Sequence, residues 1–193
     1  MEYERLYADM MLKLKEGLSP KLYYHGVHHT IDVLSSLTQI SKQENVSGEQ
    51  LLLLKTAALL HDSGFTETYT DHEEAGCRIT RQMLPGYGYS DQDIEIICGM
   101  IMATKIPQTP DNKLEEIICD ADLDYLGRDD FYPISNSLFK ELVFRGVLND
   151  ENEWNKIQVR FLSTHHYFTA TCQNQREANK QLRIEEIKKI VVG

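Results

Sequence analysis

The longest apolar run of this chain ends in two polar residues that a buried helix does not tolerate without partners. Residues 51–60 read LLLLKTAALL, and His61 and Asp62 follow directly. A helix that is apolar on almost every face belongs in the protein interior. An unpartnered imidazole or carboxylate there costs on the order of several kcal/mol, and a carboxylate at a helix C-terminus also opposes the helix dipole. Binding a cation removes both costs, so the sequence first predicts a metal site.

Hydrophobic residues in the rest of the chain recur with helical periodicity, and no stretch alternates convincingly with the period of a strand. The pattern predicts an all-α fold, a single-domain helical bundle without repeats or linker-like segments. Helices are expected over residues 2–16, 28–42, 48–62, 72–84, 91–104, 113–125 and 133–145, followed by two helices or one long bent helix over 153–191. We also expect Ser47 to form a capping box, Ser90 to cap its helix, Gly64 to terminate the leucine-rich helix and Pro133 to begin another.

Composition narrows the classes of function. A net charge of -10 over 193 residues argues against a non-specific nucleic-acid binder, which needs a basic surface. A small phosphorylated substrate stays compatible, because a bound cation reverses the local field. Residues 1–17 do not resemble a signal peptide, and no apolar run approaches the roughly 18 residues that cross a bilayer. We therefore expect a cytoplasmic protein without membrane contact, whose four widely spaced cysteines are reduced and buried.

Two other segments are rich in residues that bind metals. Three of the seven histidines lie within residues 25–29, and three aspartates alternate within residues 120–124. Imidazoles and carboxylates are suitable ligands for first-row divalent metals. Both segments lie at predicted helix ends, as do His61 and Asp62.

Taken in order, these segments resemble the HD superfamily of metal-dependent phosphohydrolases. The resemblance rests on three motifs: Tyr-His-x-x-x-His at residues 24–29, Leu-Leu-His-Asp at residues 59–62 and Ala-Asp-Leu at residues 121–123. It covers about residues 22–126, and the C-terminal helices over 133–191 complete one domain spanning 1–193. It implies an HD-type helical bundle that holds one divalent metal ion, whose identity among Mn, Fe, Mg, Ni, Co and Zn the sequence does not distinguish.

The resemblance also implies the metal ligands, which are His29, His61, Asp62 and Asp122. Asp120 competes with Asp122 for the last position, and the Ala-Asp-Leu context favours Asp122. His28 has a weaker claim than His29, because the family pattern puts the ligand one turn before the aliphatic face of the helix begins.

Four further residues are expected near the substrate. His25 matches a histidine that protonates the leaving group in cyclic-nucleotide phosphodiesterases of the superfamily; the alternative is an ordinary hydrogen-bonded histidine. His72 lies where binuclear members such as the HD-GYP proteins bind a second metal; the alternative is a polar first helical turn. Those members need another histidine near residues 102–105, and this sequence has none there, which makes a second metal doubtful. We expect the Lys105 ammonium in that region, contacting a substrate phosphate. Arg128 is another candidate phosphate contact, with a solvated ion pair as the alternative.

The implied reaction is hydrolysis of a phosphomonoester or phosphodiester, with a nucleotide as the expected substrate and Asp62, His25 and His72 in catalytic roles. Two other functions stay open. One is different chemistry on the same scaffold, by a lyase, a hydratase or a di-iron oxygenase, although the missing histidine argues against two irons. The other is a regulatory module that senses a nucleotide without turnover. A homodimer is compatible with each of these functions.

Several polar or aromatic residues outside the motifs are expected to be structural. Trp154 is predicted to be in the core, and His165 and His166 to be a packed or surface pair. A solvated helix face is expected for Arg176, Lys180 and Arg183.

Overall fold

The computed structural model describes residues 1–191, so the last two residues of the predicted domain, 192 and 193, lie outside it. The described chain is all helical and contains no β-strand, which confirms the predicted fold class. Its α-helices are α1 (Tyr3–Gly17), α2 (Val27–Gln43), α3 (Gly48–Leu60), α4 (His72–Met83), α5 (Asp91–Ala103), α6 (Lys113–Asp122), α7 (Phe131–Phe144), α8 (Glu151–Thr164) and α9 (Ala170–Lys188). Short 3-10 helices occupy Ser63–Thr66, Leu84–Tyr87 and Asp124–Gly127.

The C-terminal half of the leucine-rich helix α3 is buried, as predicted. The helix packs against α1, α2, α5 and α6. Leu54, Leu59 and Leu60 are fully buried, and burial of each such side chain stabilises the fold by about 1.5–3 kcal/mol. The helix ends at Leu60, and His61 and Asp62, which follow it directly, are themselves buried.

The capping residues predicted from the sequence are found at one helix start and not at another. Ser90 forms a capping box with Asp93, as expected. The capping box predicted at Ser47 is wrong: within residues 1–191 its side chain accepts no capping hydrogen bond, and Gly48 beside it adopts a left-handed φ of 59°. Helix α7 begins at Phe131, which puts Pro133 in the first turn but not at its first position.

The C-terminal third consists of two helices, α8 and α9, packed against each other. The prediction of a wholly solvated face on α9 is wrong, because Lys180 is only 1% exposed. Its ammonium donates to the carbonyl of His165 at 2.5 Å and pairs with Glu177 at 3.0 Å, while its position over the Tyr167 ring is also favourable. Glu177, one turn earlier on α9, therefore balances the buried charge.

The burial of the cysteines agrees with the sequence-based expectation. Cys77, Cys98, Cys119 and Cys172 are all buried free thiols. No helix within the described part of the chain combines the length and the apolar character that crossing a bilayer requires.

Candidate metal centre

The residues expected to bind metal come from three helix ends that the bundle brings together. His29 lies in the first turn of α2, His61 and Asp62 follow the C-terminus of α3, and Asp122 is the last residue of α6. Each of these three helices packs against the other two. Packing of the apolar helix faces therefore determines where the polar ends converge.

The imidazoles and carboxylates lie within ligand distance of a common point. His29, His61 and Asp122 each offer one ligand atom, and these atoms lie within 4.8 Å of one another. The His29 Nε2 atom is 3.0 Å from Asp122 Oδ1 and 3.4 Å from His61 Nε2. Asp62 Oδ2 adjoins the same group, at 3.5 Å from His29 Nε2 and 3.4 Å from His61 Nε2. All four residues expected from the motifs are therefore neighbours, and their binding of a metal stays a prediction.

Two details show that this group fits a cation. His61 Nδ1 donates to the carbonyl of Ala58 at 2.8 Å, so the lone pair of a neutral imidazole is on Nε2, which faces the other ligands. Asp62 Oδ2 is buried, and within residues 1–191 it accepts no hydrogen bond. A buried carboxylate oxygen without a donor is costly, and a metal ion at this point would supply the missing positive partner.

The electrostatics of the group favour positive charge. Burial acts to lower the pKa of His61, but the Asp62 and Asp122 carboxylates raise it well above its ordinary value. Burial acts to raise the pKa of both carboxyls, and the neighbouring imidazoles hold each far below its ordinary range. Two ionised carboxylates therefore share one buried site, and divalent cations are bound in such surroundings.

The two competing ligand candidates lie elsewhere. Asp120 is buried on the opposite side of α6, where it accepts hydrogen bonds from the backbone of Phe168 at 2.9 Å and from Thr169 Oγ1 at 2.6 Å. His28 is exposed at the start of α2. The structure thus places Asp122 and His29, rather than Asp120 and His28, in the group.

His25 lies next to the metal group and is held by a buried carboxylate. Its Nδ1 is 2.5 Å from Glu141 Oε1, and Glu141 Oε2 also accepts the backbone N–H groups of Tyr24 at 2.8 Å and His25 at 3.2 Å. Glu141 belongs to α7, 116 residues away. Sequence reasoning missed it, because it belongs to no motif and looks like any polar residue of an amphipathic helix.

His72 begins α4 and faces the same space. Its Nε2 lies 3.6 Å from Asp62 Oδ1 and 3.4 Å from Glu73 Oε1. Burial lowers the pKa of His72 below its ordinary value. The ring of Phe65 stacks on it at a centroid distance of 3.9 Å and also contacts the His25 ring at 4.3 Å. Phe65 thus separates and orients the two histidines, a role that no motif predicted.

Both basic residues expected to bind phosphate are engaged in ion pairs. Lys105 Nζ donates to Asp71 at 2.9 Å and to Glu74 at 2.6 Å. Arg128 donates to Asp32 at 2.9 Å and forms a bidentate pair with Asp130 at 2.9 and 2.8 Å. Contact of either residue with a substrate stays a prediction.

A cavity of about 420 Å³ opens at the metal group. Its polar end is lined by His25, Asp62, His72, Glu73 and Asp122. From there it extends between α7 and α8, where Trp154 forms part of the wall. Its size is typical of a site for a small molecule, so the centre has room for a substrate beside the metal.

Two solved structures are similar to this chain over nearly all of its length. One is a predicted HD superfamily hydrolase from an uncultured Thermotogales bacterium, with 20% identity, a TM-score of 0.63 and coverage of 94% of this chain and 89% of that one. The other is Bacillus subtilis YpgQ in complex with ADP, with 18% identity, a TM-score of 0.64 and coverage of 100% and 98%. At these identities the likeness shows a shared fold.

Sequence comparison gives the family. An uncharacterized protein of Clostridium beijerinckii is 32% identical over 80 residues, which cover 40% of this chain and 50% of that protein. The chain thus spans about half the length of the curated relative that it matches. The HD domain matches residues 26–124, just over half of the chain, and includes all four residues of the metal group. The chain belongs to the HD domain family.

Proposed function

We propose that this protein is a metal-dependent phosphohydrolase that cleaves a phosphomonoester or phosphodiester. One observation carries the proposal: two carboxylates of the metal group, Asp62 and Asp122, line one end of a cavity that His25 also lines. Hydrolysis of a phosphate ester needs a cation at the phosphate, a place for water and a donor for the leaving oxygen. This end of the cavity supplies residues suited to all three.

A divalent metal held by these residues would polarise a phosphoryl oxygen and make a bound water more acidic. The protein's own residues position the other participants. The Ala58 carbonyl keeps the His61 ring in one orientation. Asp62 has a second oxygen, Oδ1, directed toward His72, and it can orient the attacking water or accept its proton. His25 is held through Nδ1 by Glu141, so its Nε2 is free to deliver a proton to the leaving oxygen.

Nucleotides are included in the proposed class. The support is the fold shared with YpgQ, which was crystallised with ADP. Within the described residues, no side chain is identified that would recognise a particular base.

The test combines metal analysis with a phosphate-release screen. We expect about one divalent ion per chain, and activity that chelation removes and the same metal restores. The Asp62→Ala variant should lose both metal and activity, whereas Asp111→Asn, a change at an exposed loop aspartate, should retain both. Saturating metal should also raise the midpoint of thermal unfolding of the wild type, since a ligand at about 100 times its Kd stabilises by about 2.7 kcal/mol.

Specific results would contradict the proposal. Activity that survives the loss of Asp62 and of metal would exclude a metal-dependent reaction at this centre. Two irons per chain together with oxygen consumption would identify an oxygenase instead. Tight nucleotide binding by metal-loaded protein with no turnover of any phosphate ester would identify a binding module.

A further inference from the structure

The cavity at the metal group is polar only at one end. Beyond that end, its walls come mainly from α7 and α8, and most of their side chains at this surface are apolar. The wall includes Phe131, Leu138, Leu142, Trp154, Ile157 and Phe161. Aliphatic and aromatic surfaces of this kind bind apolar ligand groups by excluding water from both surfaces.

The polar groups in this far region are already paired within the protein. Ser135 Oγ donates to Gln158 Oε1 at 2.5 Å, and Gln158 Nε2 donates to Asn155 Oδ1 at 3.1 Å. A ligand group that entered would therefore meet few polar atoms in need of a partner. A hydroxyl-rich or charged group would lose its hydration without replacing it, which is unfavourable.

Positive charge in the cavity is confined to the metal end. Across residues 1–191, no lysine or arginine is among the residues that line it. Lys105 is paired with Asp71 and Glu74 outside this wall, and Arg145 stacks over the ring of Tyr69 at 3.3 Å. A polyphosphate chain bound inside would have several charges with only the metal and two histidines to balance them.

We propose that the substrate joins a single phosphate group, bound at the metal end, to an uncharged and largely apolar organic group that fills the space between α7 and α8. This inference rests on the proposed phosphohydrolase function, because the metal group is what places the phosphate. It selects organic monophosphates with aliphatic or aromatic groups over nucleoside polyphosphates and sugar phosphates.

A homologous series of substrates tests the proposal on the unmodified protein. The kcat/KM for phosphate release is measured for n-alkyl phosphates from methyl to hexyl, with glycerol phosphate and a nucleoside triphosphate for comparison. Each added methylene should raise kcat/KM about three- to fourfold, as expected for burial of apolar surface. The proposal would be overturned if kcat/KM stayed constant or fell as the alkyl chain lengthened. It would also be overturned if glycerol phosphate or the triphosphate were preferred over hexyl phosphate.

A pair of variants on α7 tests whether this wall is responsible. Leu142 lines the cavity, and its neighbour Val143 is 40% exposed and does not. Leu142→Asn should flatten the dependence on chain length, while Val143→Asn should leave it as in the wild type. Leu138→Asn provides a second change in the same wall. Wild-type dependence in every folded wall variant would show that the organic group binds elsewhere.

A binding experiment separates this inference from the proposed reaction. The chain has one tryptophan, Trp154, and it lines the cavity. Titration of metal-loaded protein with non-hydrolysable n-alkyl phosphonates should change its fluorescence, with a Kd that falls about three- to fourfold per methylene. Chain-length-dependent binding without turnover of any phosphate would support the inference and refute the hydrolase. Turnover of phosphate esters without a dependence on chain length would support the hydrolase and refute the inference about the apolar group.

Discussion

The side chain of Glu141, which holds His25 beside the metal group, is fully buried. Burial acts to raise its pKa, but the hydrogen bond and charge of His25, together with two backbone N–H groups, lower it below the ordinary value. The carboxylate is therefore ionised at neutral pH. It is a positioning residue, because it acts on a substrate only through the imidazole that it holds.

Replacing Glu141 with Gln should reduce turnover without removing the metal. The amide can still accept the backbone N–H groups, but it no longer stabilises a positive charge on His25. We expect kcat to fall about tenfold or more, and His25→Asn to lower it about a hundredfold, in the range of general-acid contributions. Steady-state kinetics and metal analysis of the same preparations provide the measurement.

The matched control is Glu185→Gln, an exposed glutamate on α9 that pairs with Lys188. It should leave kcat unchanged. If Glu141→Gln retained wild-type kcat with its metal bound, the proposed role of the His25–Glu141 pair would be wrong. Loss of metal in that variant would instead indicate a structural role for Glu141.

At the scale of elements, the junction between α3 and α4 determines where His61, Asp62 and His72 lie relative to one another. The 3-10 helix Ser63–Thr66 packs closely on α4. A Cβ on Gly64 would collide with the backbone carbonyl of His72 and lie 2.8 Å from Gly76 N. Gly64 was expected to terminate α3, and its φ is not in the left-handed region. Glycine is required at this position because the 3-10 helix and α4 approach each other too closely for a Cβ atom.

Gly64→Ala should therefore push α4 away from the metal group. Since the obstructing atoms are backbone, we expect a loss of about 1–3 kcal/mol in the free energy of unfolding, as for overpacked cores. Metal affinity should fall as well, because Asp62 and His72 lie on the two displaced segments. Urea denaturation and metal titration measure the two effects.

Gly86→Ala is the matched comparison, because a Cβ there has no neighbour within 4 Å. That variant should unfold at nearly the wild-type urea concentration. Equal stability of the two variants would show that the α3–α4 junction can relax without cost.

Across the whole molecule, the C-terminal helices are joined to the helices of the metal centre by buried or partly buried charges. Arg176 of α9 donates to Asp124 at 2.7 Å. Glu44, which ends α2, pairs with Lys113 of α6 and accepts hydrogen bonds from Thr171 of α9 at 3.0 and 2.6 Å. Burial acts to raise the pKa of Glu44, but these partners lower it to about 2. One carboxylate thus connects three helices.

The Glu44 connection predicts a pH-dependent contribution to stability. A folded-state pKa below the ordinary value of 4.5 means that the stabilisation is complete above that pH and disappears as pH falls toward 2. We expect Glu44→Gln to cost about 1–2 kcal/mol at pH 7, a value reduced for the solvent exposure of Lys113. The difference from wild type should shrink between about pH 5 and pH 3 in urea unfolding experiments.

Glu95→Gln is the control, since Glu95 pairs with Arg81 on the exposed surface. Its effect should be smaller than that of Glu44→Gln at pH 7. A Glu44→Gln penalty that stayed constant from pH 7 to pH 3 would contradict the assigned ionic role.

The sequence by itself determined the helices, the buried leucine-rich segment and the ligand motifs, because each depends on neighbours a few residues apart. Helical periodicity places apolar side chains on one face regardless of what packs there. Polar residues that directly follow an apolar run are expected to be buried, and buried polar groups need a partner. These grounds single out His61 and Asp62, whereas the full set with His29 and Asp122 follows from the resemblance of the motifs to the HD superfamily.

Only the tertiary structure decided what surrounds the centre, because those contacts join residues far apart in the chain. Glu141 reaches His25 across 116 residues, and Lys180 is buried by neighbours that an isolated helix pattern does not reveal. The apolar cavity exists only because α7 and α8 leave a space beside the metal group. Periodicity tells which face of a helix is buried, but the shape left between two buried faces depends on how they pack.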